Sequence, residues 1–249
     1  MMTTTKNKFS EDEWHSRINL AACYHLADYF QMSDIIWNHI TAKTSNDKDT
    51  FLINPFGLRY DEITASNLVE VTLEGKVINS DNPINDTGFI IHGAIHRARP
   101  DVNCVMHTHS RAGLAVSCFE NGLTPMIQDA AFLHNRVSYH DWEGMSTEQE
   151  ECEHLSKSLG NNKVMILKNH GLLTCGTTIA EAFMLMYYLE RACKTQIDAR
   201  STGEKLNIPS NNIMEYAAGQ YDDPRFQLGK HEWPALLRLL EKNHSIYKQ

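Results

Sequence analysis

The stretch GFIIHGAIHRARPDVNCVMHTHS, residues 88–110, reads as a helix, a stop and a strand in immediate succession. From Thr87 onward, Phe89, Ile90, Ala94 and Ile95 fall on one helical face. Pro100 ends the helix near Arg99, because its ring disfavours helical backbone in the residue before it. The apolar run 102–106 predicts a short strand leading into His107-Thr108-His109. Side chains alternate along a strand, so histidines two residues apart leave the same face and can converge on one ion. A second stretch, VMILKNHGLL at 164–173, begins with a continuous apolar run, the mark of a strand buried on both faces. It delivers His170, followed by Gly171, where the chain can turn and expose the imidazole.

Three neutral imidazoles with an open fourth position are the ligand set of a catalytic zinc. The pair alone is weak evidence, since thirteen histidines in 249 residues give about one H-x-H match by chance. The bland alternative is two core or surface histidines and a third satisfied beside a turn. His92 and His96, four apart on the preceding helix, share a face and could support a ligand or join the site. Asp101 reads as a cap or turn residue. Tyr139, His140, Asp141 and Trp142 either line a cleft or belong to the core.

Working outward, Ser10 and Glu13 have capping-box spacing, and helical periodicity predicts a helix over 11–31. Strands at 36–40 and 51–54 flank a polar tip at 45–49, and 69–73 with 76–78 repeats the hairpin pattern. Further on, 111–119 reads as helix, 137–140 as strand, and Ser146 with Gln149 opens a polar helix ending at Gly160. A strand at 172–175 precedes a long helix over 179–199 that is apolar all round in its first turns, as if partly covered by another subunit. The chain is then polar and irregular to about residue 212, with a last amphipathic helix at 230–242. The expected organisation is a flexible N-terminus at 1–9, one α+β domain over 10–200, and a C-terminal extension with a short helix over 201–249.

Composition excludes several roles. Lys and Arg total 23 against 31 Asp and Glu, a net charge of −8, and no basic run is dense enough to track phosphates, so nucleic acid is not an expected partner. No apolar stretch approaches the roughly 20 residues of a membrane span, and the start of the chain lacks a signal-peptide core. Six cysteines without a C-x-x-C pair suit reduced core thiols, and the expected location is cytoplasmic.

Taken together, R-P-D-x-x-x-x-x-H-x-H at 99–109 and N-H-G at 169–171 resemble the class II aldolase/adducin family over about 12–199. NHIT at 38–41, NPFGLRY at 54–60, TASNLV at 64–69 and LGKHEWPALLRLL at 228–240 look closest to adducin head domains. The resemblance implies a single α/β domain, an α/β/α layered fold with a mostly antiparallel central sheet and, in the enzymes, a tetramer with sites between subunits. It carries the zinc-ligand role onto His107, His109 and His170. Where the aldolases place an acid/base glutamate, one turn before the residue matching His92, this chain has Gly88, and the nearest acid is Asp86. Their phosphate loop G-N-x-S reads Asn38-His39-Ile40-Thr41, which argues against phosphorylated sugars.

The leading expectation is a metal-dependent, aldolase-like lyase acting on a small carbonyl or hydroxy-acid compound through a zinc-stabilised enediolate, as a homo-oligomer. His92 is the candidate catalytic residue in place of the glutamate. A metal-bound water, or a tyrosine such as Tyr247 from a neighbouring copy, are the other candidates. The alternatives are a non-enzymatic, adducin-head-like protein-binding module and an Fe(II)-dependent oxygenase on the same fold.

Overall fold

A computed structural model describes residues 8–44, 49–78, 80–144 and 149–249. The elements run α1 (Glu11–Tyr29), β1 (His39–Lys43), β2 (Thr50–Ile53), β3 (Val69–Thr72), β4 (Val77–Ile78), α2 (Asp86–Ala98), β5 (Cys104–Thr108), α3 (Arg111–Ser117), β6 (Val137–His140), α4 (Gln149–Leu159), β7 (Val164–Leu167), β8 (Gly171–Gly176), α5 (Ile179–Ser201), α6 (Asn211–Gln220) and α7 (Glu232–Lys242). Short 3-10 helices occupy Tyr60–Glu62 and Gln128–Leu133. Local chemistry sets the helix starts. The Ser10 hydroxyl accepts from the Glu13 amide, Asn85 Oδ1 from the amides of Thr87 and Gly88, and Thr178 from Glu181.

The eight strands form one sheet in the order β4-β3-β2-β1-β5-β8-β7-β6, in which only β6 and β7 are parallel. Its central strands are buried along their whole length, which explains why they read as apolar runs and not as alternation. Their alternate residues serve different helix layers. Met106 and Ile166 belong to the core shared with Leu26 of α1 and Met186 of α5, whereas Val105, Met165 and Leu173 join Ile91 and Ile95 of α2 and Leu155 and Leu159 of α4. The fold is thus the expected α/β/α sandwich with a mostly antiparallel sheet.

Some details differ from expectation. The first strand begins at His39, because the segment before it turns tightly, with an Asp34–Trp37 bridge and left-handed backbone at Ile35 (φ 50°) and Asn38 (φ 73°). Most of the polar tip at 45–49 and Ser146 lie outside the described residues. Beyond Arg200 the structure forms two helices, and α6 had no forecast. α5 is covered within a single chain, with Phe183, Met186 and Leu189 fully buried, so its apolar girth does not by itself call for a second subunit. Cys23, Cys104, Cys175 and Cys193 are free and buried, and burial pushes each thiol up, Cys175 to about 12. Cys118 is free and exposed.

Candidate metal centre

His107 sits inside β5, opposite His39 on β1 and Leu173 on β8, while His109 lies just past the strand's end. His107 Nδ1–H donates to the Leu172 carbonyl at 2.9 Å, and His109 Nδ1–H donates to Asp34 Oδ2 at 3.0 Å. Both partners are acceptors only, so in its neutral form each ring keeps its lone pair on Nε2. These two Nε2 atoms face each other at 3.0 Å. In that form the two lone pairs repel unless a proton or a metal ion lies between them. The His170 ring is 4.8 Å from that of His107 and 5.0 Å from that of His109, centroid to centroid. One ligand atom from each of the three lies within 4.8 Å of the others, so the structure brings the three expected histidines together.

Backbone geometry delivers His170. Asn169 adopts left-handed backbone (φ 57°), and at Gly171 a Cβ would lie 2.5 Å from the Thr108 carbonyl oxygen. Only glycine lets β8 begin so close to the end of β5. Burial, then the neighbouring imidazoles, hold His107 far below the usual histidine range. Burial, then His109 and His140, bring His170 down to about 4. Both are therefore neutral near pH 7, as metal ligation requires.

Two supporting residues escaped the sequence reading. Asp34 fixes the His109 ring, and Asn38 Oδ1 accepts from the His109 amide at 3.1 Å. Ile35 between them is β-branched in left-handed backbone, a strained arrangement of the kind that clusters at functional sites. The one sequence hint was Asn38, a residue type that tolerates left-handed backbone.

Behind the trio lies an inner row. Thr41 Oγ1 bonds His92 Nδ1 at 2.8 Å and His96 Nε2 at 2.9 Å. The structure does not bring His92 to the trio: it is fully buried, and the His39 ring stands next to it, 5.2 Å from His92 and 6.0 Å from His107. Burial lowers all three inner imidazoles, His39 and His96 to about 3. His39 was read from sequence only as part of the phosphate-loop position; its place beside His107 was missed because the β1–β5 register cannot be read from sequence.

Other candidates fall elsewhere. Arg99 forms a two-bonded fork on Asp101 and also binds the carbonyls of Gly160 and Asn162, so R-P-D ties the end of α2 to the loop after α4. His140, Asp141 and Trp142 line a small hollow that His170 borders. Tyr247 is 1% exposed and packs near His25 of its own chain. A cavity of about 1100 Å³ lies at the opposite end of β7 and β8, bordered by Arg136, Lys163, Thr178 and Trp233, away from the histidines. Among the described residues no helix is long and apolar enough to cross a membrane.

Known proteins resemble this chain in sequence and fold. The family model described as class II aldolase and adducin N-terminal domain matches residues 18–197. A crystal structure of an aldolase II superfamily protein from Pseudomonas syringae, 40% identical, superposes with a TM-score of 0.92 over 98% of this chain and 99% of its own. An L-fuculose 1-phosphate aldolase from Glaciozyma antarctica, 25% identical, gives 0.82 over 99% and 96%. Rat alpha-adducin is 39% identical over 90% of this chain, which spans 33% of the adducin's length. The chain belongs to the class II aldolase and adducin N-terminal domain family.

Proposed function

We propose that this protein is a divalent-metal lyase of the class II aldolase type, acting on a small carbonyl or hydroxy-acid compound, with His107, His109 and His170 as metal ligands. The observation that carries the reading is the pair of Nε2 lone pairs at 3.0 Å with a third imidazole beside them. A proton could bridge two nitrogens, whereas three converging imidazoles suit a metal ion with an open position. When bound, a divalent ion would polarise a substrate carbonyl as a Lewis acid and stabilise the enediolate left when a carbon–carbon bond breaks. Zinc fits three imidazoles, and Fe(II) is the alternative on the same donors.

The chain's own residues hold this site in place. Asp34 and the Leu172 carbonyl fix the ring tautomers so that both Nε2 atoms point inward, and Asn38 anchors the backbone of His109. His92, enclosed behind His39 and tied to Thr41, is proposed as a support of the inner row and not as the group that moves the proton. A cytoplasmic homotetramer is the assembly proposed, on the likeness to the aldolases.

The second reading, an adducin-like protein-binding module, is favoured by Gly88, which offers no acid/base group, and by the likeness to alpha-adducin. Metal analysis of protein purified without chelators separates the two. About one zinc per chain is expected for the lyase. Metal-free protein that also fails to take up added zinc would favour the module, and iron with oxygen-dependent turnover would favour the oxygenase.

A further inference from the structure

Gly88, in the first turn of α2, has no room for a side chain. A Cβ there would lie 2.3 Å from His39 Cδ2, 2.5 Å from Nε2 and 2.6 Å from Cγ, well inside contact distance. The glycine weakens the helix it sits in, and what it admits is an imidazole only 5% exposed whose Nδ1 has no hydrogen-bond partner. Buried polar atoms are nearly always paired, so an orphan needs an explanation. Two unfavourable features therefore meet on one ring. The contact with Gly88 positions the His39 ring 28° from parallel with that of His107, its paired neighbour on the adjacent strand. His39 is not one of the three converging histidines, and its ring centroid lies 6.0 Å from that of His107.

We propose that His39 is a ligand-contacting, specificity-determining residue: its ring bonds an oxygen of the small hydroxycarbonyl or hydroxy-acid compound held at the trio, and Gly88 is there to admit that ring. The proposal rests on the metal-lyase reading. It fills the place where a side chain at 88 would otherwise stand with a hydrogen-bonding ring.

The test uses full-length protein loaded with cobalt(II) and titrated with glycolohydroxamate, an oxygen-chelating mimic, followed by the visible spectrum. The native protein takes up cobalt and binds the mimic. His39→Phe keeps the cobalt stoichiometry and binds about 10- to 100-fold more weakly, the loss expected for a hydrogen bond to a charged group. His39→Gln, which retains a donor, recovers most of that loss. Gly88→Ala behaves like His39→Phe although residue 39 is unchanged, because the new methyl displaces the ring. Native affinity in His39→Phe would overturn the proposal, and so would loss of cobalt in that variant, which would make His39 a metal ligand. A native protein that takes up no cobalt would overturn the metal-site reading instead, and this proposal with it. Thermal unfolding tests the contact itself: Gly88→Ala lowers Tm in the native background and has little effect beside His39→Ala. An equal drop in both backgrounds would mean that the glycine serves something other than the ring.

Discussion

Two groups of histidines lie within one ring's width of each other and are built in opposite ways. In the trio, two rings are anchored through Nδ1 to acceptors, which leaves Nε2 atoms facing across 3.0 Å. In the inner row, His92 and His96 share a single hydroxyl, Thr41, and each keeps one ring nitrogen without a partner. The first group is ordered by bonds at its rear, so its front is free for an ion. The second is turned toward the interior and holds the helix-to-sheet junction between α2 and β1. The difference shows that histidine content does not define a site; what defines it is where the second nitrogen of each ring is tied.

Breaking the trio produces the largest effect. Alanine at His107, His109 or His170 should abolish stoichiometric zinc binding measured by calorimetry, while Thr41→Val leaves zinc binding within a few-fold of native. Full retention of zinc in all three alanine variants would erase the distinction between the groups. Thr41→Val should act on stability. It strands two buried ring nitrogens at about 1–3 kcal/mol each, which lowers Tm by several degrees in a chain of this size. An unchanged Tm would mean that the inner row finds other partners.

A smaller change tests the rear anchoring. Asp34→Asn should weaken zinc about 10- to 100-fold, as removal of a carboxylate behind a ligating histidine does, without changing the number of ions bound. A further test is a pH slope. The His96 imidazole is held at about 3 in the folded protein, by burial and then by Lys43, against 6.5 when unperturbed. Between those values the unfolded chain binds the extra proton. The contribution is complete above pH 6.5, is lost at about 1.4 kcal/mol per unit as pH falls, and levels off below about 3. Unfolding of metal-free protein at pH 7, 5 and 4 should therefore show a flatter slope in His96→Gln than in the native chain.

Much of the molecule was legible because its signals are local. Helical periodicity with the Ser10 cap marked α1, the apolar run at 164–167 marked a strand buried on both faces, and H-x-H with N-H-G marked the histidines that meet. What stayed hidden depends on register or on backbone conformations that side chains do not announce. Nothing in the residue type of Ile35 predicts left-handed backbone, so the first strand was expected three residues early. The role of Gly88 was unreadable for the same reason. Its missing side chain matters because of His39, 49 residues away in sequence and brought there by the β1–β5 pairing. α6, with few buried side chains of its own, left a weak apolar pattern. The R-P-D string carried a clear signal, and its work in the structure is to fasten a loop.

The central claim, an ion held by three imidazoles, is tested most directly by X-ray absorption at the metal edge of the protein as purified. The account predicts three imidazole nitrogens at about 2.0–2.1 Å from zinc, with the remaining position filled by oxygen. A shell containing sulfur, a shell of oxygen without imidazole, or the same spectrum in His170→Ala would contradict it.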